Sequence, residues 1–158
     1  SHFSLIMTGY TGQYDCKIDV KGRLKLPAGI LRQLPEGHEG KLVINKGLDN
    51  NLDLYTLPAW EKVTEKLEKL NKFNSKHRDF LRAYYRNVVH VELDSSDRML
   101  ISKKTADLIG LKDEAVIIGY GSNIEIWSKD EYESKINVEI DNFSDMADDI
   151  LGNINWNE

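Results

Sequence analysis

The chain has 158 residues, of which 41% are hydrophobic and 30% are charged, and its formal net charge is −5. This length suits one domain of ordinary size, or two small halves that share a core. No run of about 18 apolar residues occurs, which excludes a helical membrane span, and the start of the chain lacks the pattern of a signal peptide. The single cysteine, Cys16, excludes a disulfide within the chain.

The first part of the chain predicts two β-hairpins separated by a short helix. Gly22 supplies the positive φ of a tight turn in the first hairpin. Pro27 begins a short helix, which ends at Pro35. Alternation of apolar and polar residues predicts strands at Tyr14–Asp19 and Arg23–Leu26. Two further strands, Lys41–Gly47 and Asn51–Leu57, are predicted as a hairpin around the turn Gly47–Asn51, which is rich in Gly, Asp and Asn.

A helical connector follows, and then a second set of strands. The connector predicts one helix over Pro58–Phe73, with an apolar face that includes Trp60, and another over Lys76–Asn87. Beyond the second set of strands, the tail predicts a short acidic helix with Ser144 as its N-cap.

The second set of strands repeats the first. With Asp19 placed over Asp94, a separation of 75, Arg23 aligns with Arg98, and Asp97 takes the position of Gly22. Asp tolerates the left-handed region better than most residues, so it suits that turn. Later segments also correspond: KLVIN (41–45) to AVIIG (115–119), and LDLYTLPAWE (52–61) to IEIWSKDEYE (124–133), the latter at a separation of 72. We place the loss of three residues in the loop 38–40.

Halves of about 45 residues are too small to bury a good core alone. We therefore predict a mainly β fold with added helices (α+β), in which two intertwined halves form a compact β-barrel. The predicted parts are a first unit at 13–59, a helical connector at 60–87, a second unit at 88–133 and an acidic tail with a short helix at 134–158.

The first turn carries the candidate binding residues. Lys21, Arg23 and Lys25 are close in sequence and would repel one another unless an anion lies opposite, and a phosphate backbone meets that need. Arginine can also bind guanine O6 and N7 in the major groove. Asp19 lies four residues before Arg23, which favours an ion pair or an Asx turn that organises the loop. The second turn offers Arg98 as a secondary contact. Asp94 and Asp97 organise the second turn, as Asp19 and Gly22 organise the first.

Other candidate sites are weaker. Arginines recur every four residues in the connector, at Arg78, Arg82 and Arg86, and a solvated or subunit-facing stripe is favoured over a second DNA contact. The four histidines have no metal-ligand spacing, and no nucleophile or phosphate-loop motif occurs, so no metal, cofactor, small-molecule ligand or enzymatic activity is predicted. Residues 80–158 sum to −8, and their acids favour a solvated face or a surface for a protein partner.

The chain contains DVKGRLKLP (19–27), LYTLPAWE (54–61), a second Asp–Arg pair at Asp94 and Arg98, and IEIW (124–127). These segments resemble the MraZ family, whose chains contain two SpoVT-AbrB-type units. The resemblance implies a swapped-hairpin β-barrel and a ring-shaped homo-oligomer in the cytoplasm, associated with the nucleoid. It also implies a transcriptional regulator, usually a repressor, that binds double-stranded promoter DNA at short repeated boxes upstream of the division and cell-wall genes. In the second copy, Ser96 and Asp97 replace Lys21 and Gly22, so the first turn is expected to bind DNA more strongly. The alternative is an AbrB-type interaction or antitoxin-like module with no operator DNA of its own.

Overall fold

The computed structural model describes residues 9–155 and residue 157. The first eight residues, where no signal peptide is predicted, lie outside the described residues. The described residues form eight strands and five helices. In chain order these are β1 (Tyr10–Lys17), β2 (Arg23–Lys25), α1 (Ala28–Leu31), β3 (Lys41–Lys46), β4 (Leu52–Thr56), α2 (Leu57–Leu67), α3 (Ser75–Tyr85), β5 (Val89–Glu92), β6 (Arg98–Leu100), α4 (Lys103–Asp107), β7 (Glu114–Gly121), β8 (Asn123–Ser128) and α5 (Lys129–Leu151).

Strands of the two halves pair with one another both in the main sheet and in a separate ribbon. Six strands form one sheet in the order β1-β7-β8-β4-β3-β5, and β2 and β6 form a separate two-stranded ribbon. Each half keeps its own second hairpin, β3–β4 or β7–β8, and pairs its first strand with the hairpin of the other half. The mixed α+β prediction is confirmed. The closed barrel is not confirmed, because β1 and β5 remain edges of the sheet in the described part of the chain.

The core lies between the ribbon and one face of the sheet. Leu24 and Met99, the central residues of the two ribbon strands, are 0% exposed and pack in the same cluster as the inward residues of the sheet. Fully burying one such side chain stabilises the fold by about 1.5–3 kcal/mol. Both halves contribute to this cluster, which agrees with the expectation that neither half could build a core alone.

Strand register defines how the two halves correspond. Lys17 of β1 pairs with Glu114 of β7, and Lys41 of β3 pairs with Glu92 of β5. Lys17 and Glu92 occupy equivalent positions in the two halves, at a separation of 75. Their pairing partners, Lys41 and Glu114, must therefore also be equivalent, at a separation of 73. The predicted alignment of Lys41 with Ala115 is therefore wrong by one residue, because the apolar run alone does not define the register.

The strands that join the two second hairpins, β4 and β8, correspond at a different sequence separation between the halves. Leu52 pairs with Ile126 and Leu54 pairs with Ile124, so these strands correspond at a separation of 72. Two of the three missing residues are therefore lost before β3, and the third is lost in the turn at residues 47–51. The prediction that one loop lost all three is wrong.

The connector helices begin at side-chain caps. The Thr56 Oγ1 accepts a hydrogen bond from the backbone N–H of Ala59, and the Asn74 Oδ1 accepts one from that of Lys76. The first connector helix ends at Leu67, whereas the sequence predicted that it would continue to Phe73. Trp60 is the buried residue of α2, and its ring stacks on Tyr84 of α3 with centroids 6.2 Å apart.

The C-terminal helix is longer than predicted. It runs without a break from Lys129, and the Ser128 Oγ accepts a hydrogen bond from the backbone N–H of Glu131. The prediction of a short helix capped by Ser144 is wrong, and α5 crosses the predicted boundary at residue 134. Tyr132, in its first turns, packs with Trp127 and Val116 on the sheet face opposite the main core.

Candidate nucleic-acid interface

A single carboxylate organises the first turn, residues Asp19–Arg23, which we call turn A. The Asp19 Oδ1 accepts hydrogen bonds from the backbone N–H groups of Lys21 and Arg23, both at 2.9 Å. Its Oδ2 accepts one from the Arg23 Nε at 2.7 Å. The backbone N–H of Arg23 is the main cause that lowers the pKa of Asp19, and the Arg23 side chain and the Lys21 N–H act in the same direction.

The second turn, Asp94–Arg98 or turn B, repeats this arrangement atom for atom. The Asp94 Oδ1 accepts from the backbone N–H groups of Ser96 at 2.8 Å and Arg98 at 3.0 Å, and its Oδ2 accepts from the Arg98 Nε at 3.0 Å. The pKa of Asp94 is lowered as well, chiefly by the Arg98 backbone N–H. Both copies therefore build the same turn from the same two residue types.

Both turns contain the left-handed residue that the sequence predicted. Gly22 has φ of 82° and Asp97 has φ of 61°. A Cβ added at Gly22 would lie 3.0 Å from the Ile101 carbonyl oxygen, so close packing as well as φ favours glycine in turn A.

Ribbon register brings residues of both halves together. Arg23 pairs with Leu100, and Lys25 pairs with Arg98. Since directly opposed residues of antiparallel strands lie on the same face, these four side chains share the face that points away from the core. The structure thus places Arg23, Lys25 and Arg98 on one outward face, while Lys21 lies in turn A ahead of β2 and is exposed.

Each of the two arginines, Arg23 and Arg98, uses only part of its guanidinium group in hydrogen bonds. In each, the Nε donates to the organising aspartate, and the two terminal Nη groups donate no hydrogen bond to any described residue. An Arg anchored in this way presents a pre-oriented pair of donors, which is the geometry that binds a phosphate or a guanine edge. The opposition of Lys25 and Arg98 could not be found from the sequence, because it depends on β2 pairing with β6.

Other candidate groups are less suited to binding. Among the described residues, no cluster of three His, Cys, Asp or Glu side chains could hold a metal ion. Burial, and then the charge of Asp15, raises the pKa of Cys16 to about 11, so its thiol is protonated at neutral pH. On the connector, Arg82 contacts Asp79 with its Nη1 3.4 Å from the carboxylate.

Within residues 9–155, no helix is both long and apolar enough to cross a membrane.

Comparison with known proteins agrees with the resemblance in the sequence. A family described as "MraZ protein, putative antitoxin-like" matches residues 10–83 and again residues 85–152. The chain is similar to the transcriptional regulator MraZ of Christiangramia forsetii, with 34% identity over 93% of this chain and 96% of the relative. It is also similar to the transcriptional regulators MraZ of Cytophaga hutchinsonii, at 34% over 90% of this chain and 94% of the relative, and Flavobacterium psychrophilum, at 34% over 96% and 98%.

Proposed function

This chain belongs to the MraZ family, and from that premise we propose that it is a transcriptional regulator that binds double-stranded promoter DNA through the outward face of its ribbon. The observation that carries the proposal is the grouping of Arg23, Lys25 and Arg98 on that face, with both guanidinium groups anchored by carboxylates. A two-stranded β-ribbon fits the major groove of B-DNA.

The chemistry of this face divides into two tasks. Lysines act as point charges for phosphates and provide affinity that falls with salt but depends little on sequence. An anchored arginine can donate two hydrogen bonds to guanine O6 and N7, which contributes to sequence preference. We assign the primary contact to turn A with Lys21, Arg23 and Lys25, and a secondary contact to Arg98. Asp19, Asp94, Gly22 and Asp97 organise the two turns.

The family relationship supports the finer parts of the proposal. We propose that the chain represses the division and cell-wall genes at short repeated boxes, and that it acts in the cytoplasm at the nucleoid. Sheet and ribbon would wrap the core as a swapped-hairpin barrel, and several copies would form a ring. A ring would place several basic faces on one DNA, which raises avidity by about 10²–10⁴ and suits a chain whose overall charge is negative.

A second function has one observation in its favour. Residues 80–158 sum to −8, and the described part of the chain beyond residue 136 contains five acids and no Lys or Arg. An acidic surface of this kind fits a basic protein partner, as an antitoxin-like interaction module would require. Equally negligible affinity of the chain for its own promoter and for random DNA would favour that alternative.

Replacing Arg23 tests the proposal. Arg23→Ala should weaken binding to the promoter by about tenfold or more, since one bidentate Arg–guanine pair provides about 1–3 kcal/mol of discrimination. Arg98→Ala should weaken it less. Fluorescence anisotropy with promoter and scrambled duplexes, at three salt concentrations, measures both.

Arg82→Ala is the matched control, because it removes the same charged side chain from the connector rather than the ribbon. It should leave affinity within about twofold, as expected for an exposed charge outside the interface. Unchanged affinity of Arg23→Ala at every salt concentration would contradict the proposed interface. A loss for Arg98→Ala that equals or exceeds that for Arg23→Ala would overturn the ranking of the turns.

A further inference from the structure

An open groove of about 420 Å³ lies beside turn A. One wall is turn A itself, with Lys21 at its exposed edge. The other wall comes from the second half of the chain and includes Lys103 of α4 and Lys112, which precedes β7. Three lysines from both halves therefore line one groove at the edge of the proposed DNA-binding face.

Two backbone hydrogen bonds hold the second half in this place. The Ile101 N–H donates to the Gly22 carbonyl oxygen at 2.9 Å, two residues before Lys103. The Ile18 N–H donates to the Asp113 carbonyl oxygen at 2.7 Å, next to Lys112. Both bonds involve residues within two positions of a groove lysine, so backbone hydrogen bonds hold the main chain of Lys103 and Lys112 next to turn A.

Turn B has the same two backbone bonds but lacks the lysines. The Leu26 N–H donates to the Asp97 carbonyl oxygen at 2.9 Å, and the Leu93 N–H donates to the Gly40 carbonyl oxygen at 2.8 Å. By this equivalence, Ala28 takes the place of Lys103. The residue before Gly40 takes the place of Lys112.

That residue is Glu39, whose carboxylate lies 3.3 Å from the Lys41 Nζ. The groove beside turn A is thus lined by three lysines and one acid, Asp19, while the equivalent positions beside turn B are an alanine and an acid. Each turn is hydrogen-bonded to the segment that leads into the short helix of the other half. The lysines of the second half therefore increase the charge around the turn of the first half.

The acids near the groove leave its lysines available. Asp19 is occupied by the turn and by Arg23. Lys103 pairs with Asp107 at 2.9 Å, but its side chain is 89% exposed, and such surface pairs contribute little and exchange readily. Lys112 is exposed and forms no ion pair with any described residue.

We propose that this groove binds the phosphate backbone of the DNA strand next to the ribbon, through Lys103 and Lys112 together with Lys21. This inference rests on the proposed function and extends it: the second half provides phosphate contacts to the turn of the first half. The contacts are to phosphate only, so they raise affinity for every duplex alike, whereas Arg23 contributes to the preference for the promoter.

The double variant Lys103→Ala/Lys112→Ala tests the groove. It should weaken binding to promoter and scrambled duplexes by the same factor, about tenfold near physiological salt, and it should reduce the slope of log K against log salt by about 2, since each phosphate contact contributes about 0.9. Lys62→Ala/Lys66→Ala removes two exposed lysines from α2 and should change neither quantity. Native mass spectrometry verifies that all variants keep the assembly state of the wild type.

The reverse change adds an independent measurement. Ala28→Lys/Glu39→Lys places lysines at the equivalent positions beside turn B and should strengthen binding to both duplexes and steepen the salt slope. A wild-type chain that binds DNA, with no change in affinity or slope in the Lys103/Lys112 variant, would overturn the groove alone. A larger loss for promoter than for scrambled DNA would also overturn it, because phosphate contacts do not discriminate. Failure of the wild-type chain to bind either duplex would overturn the proposed function and the groove with it.

Discussion

Each ribbon turn depends on one carboxylate that performs two tasks. Asp19 and Asp94 each accept two backbone N–H groups through one oxygen and hold an arginine Nε through the other. Because the Nε is held, the guanidinium plane has a defined direction, and less side-chain entropy is lost when it binds a ligand. The carboxylate thus acts as a positioning group, while the arginine makes the contact.

These carboxylates should make the turns sensitive to acid. The pKa values of Asp19 and Asp94 are lower in the folded chain than in the unfolded chain, so their ionised forms stabilise the fold at neutral pH. That contribution is complete above the ordinary Asp value and is lost as pH falls through the lowered folded values. In an NMR titration from pH 7 to 2, the amide signals of Arg23 and Arg98 should shift with midpoints below the ordinary Asp value of about 3.9.

The chain with Asp19→Asn provides the internal control. The Arg23 amide should lose its acid transition, while the Arg98 amide in turn B keeps its own. A transition of the Arg23 amide at or above the ordinary Asp value in the wild-type chain would contradict the lowered pKa.

The sequence predicts the residues that build each turn, but it does not predict which distant residues lie beside the turn. The spacing of Asp19 and Arg23 and the glycine between them are local features, so the turn and its ion pair follow from the residues. Lys103 and Lys112 lie more than 75 residues from turn A, and the ladder bonds that bring them there depend on which half each strand pairs with. No local pattern contains that information.

The join between the two second hairpins places like charges together. Asp53 of β4 is directly opposite Glu125 of β8. The Asn51 Nδ2 donates to the Asp53 Oδ1 at 2.9 Å and to the Glu125 Oε2 at 3.2 Å, which offsets part of the repulsion. Burial is the main cause that raises the pKa of both carboxyls. The pair therefore costs stability where the two halves meet.

Neutralising one partner should stabilise the fold at neutral pH. Because the folded pKa values exceed the unfolded ones, stability from this pair decreases as pH rises from the ordinary carboxyl range through the raised values. Asp53→Asn should increase the free energy of unfolding at pH 7 by about 0.5–1 kcal/mol, the cost of like charges directly opposite, and the gain should disappear near pH 4. Urea unfolding at both pH values measures the difference.

Asp15→Asn is the matched control for this measurement. It neutralises another strand acid, but its cross-strand partner is the uncharged Val116, so no like-charge repulsion is removed. An unchanged or lower stability of the Asp53→Asn chain at pH 7, compared with the wild type, would show that the hydrogen bonds to Asp53 outweigh the repulsion.

Strands were easier to predict than helices. The apolar run in KLVIN and the alternation in IEIW identify strands that the structure contains at β3 and β8. Helix α5 extends beyond the prediction on its N-terminal side, where it contains Ile136, Val138 and Ile140, and β-branched residues have lower helix propensity. Packing of Tyr132 and Ile136 on the sheet provides the stabilisation that propensity lacks, and that contact is not visible in the sequence.

In the whole molecule, α5 presents an apolar stripe that the other described residues cover only at its start. The stripe consists of Ile136, Ile140, Phe143, Ala147 and Ile150, whose alternating spacing of four and three residues places them on one side of the helix. Ile136 packs on the sheet, whereas Ile140 and Phe143 are 64% and 68% exposed. A row of this kind, continuous with the small buried cluster of Val116, Trp127 and Tyr132 and then exposed, is typical of a surface that another chain covers. We therefore propose that copies of the chain meet through this stripe if they form the proposed ring.

Polar replacement within the stripe should break the assembly without unfolding the chain. Ile140→Ser/Phe143→Ser removes apolar surface that is already exposed in the single chain, so the free energy of unfolding of the monomer should change by less than about 0.5 kcal/mol. The assembly mass measured by native mass spectrometry should decrease, and promoter affinity should decrease with it by up to about 10²–10⁴ as avidity is lost. Val138→Ser is the control, because Val138 is 62% exposed but lies two residues before Ile140, about 200° around the helix. An assembly mass unchanged by the stripe variant, or reduced as much by the control, would show that the copies meet through another surface.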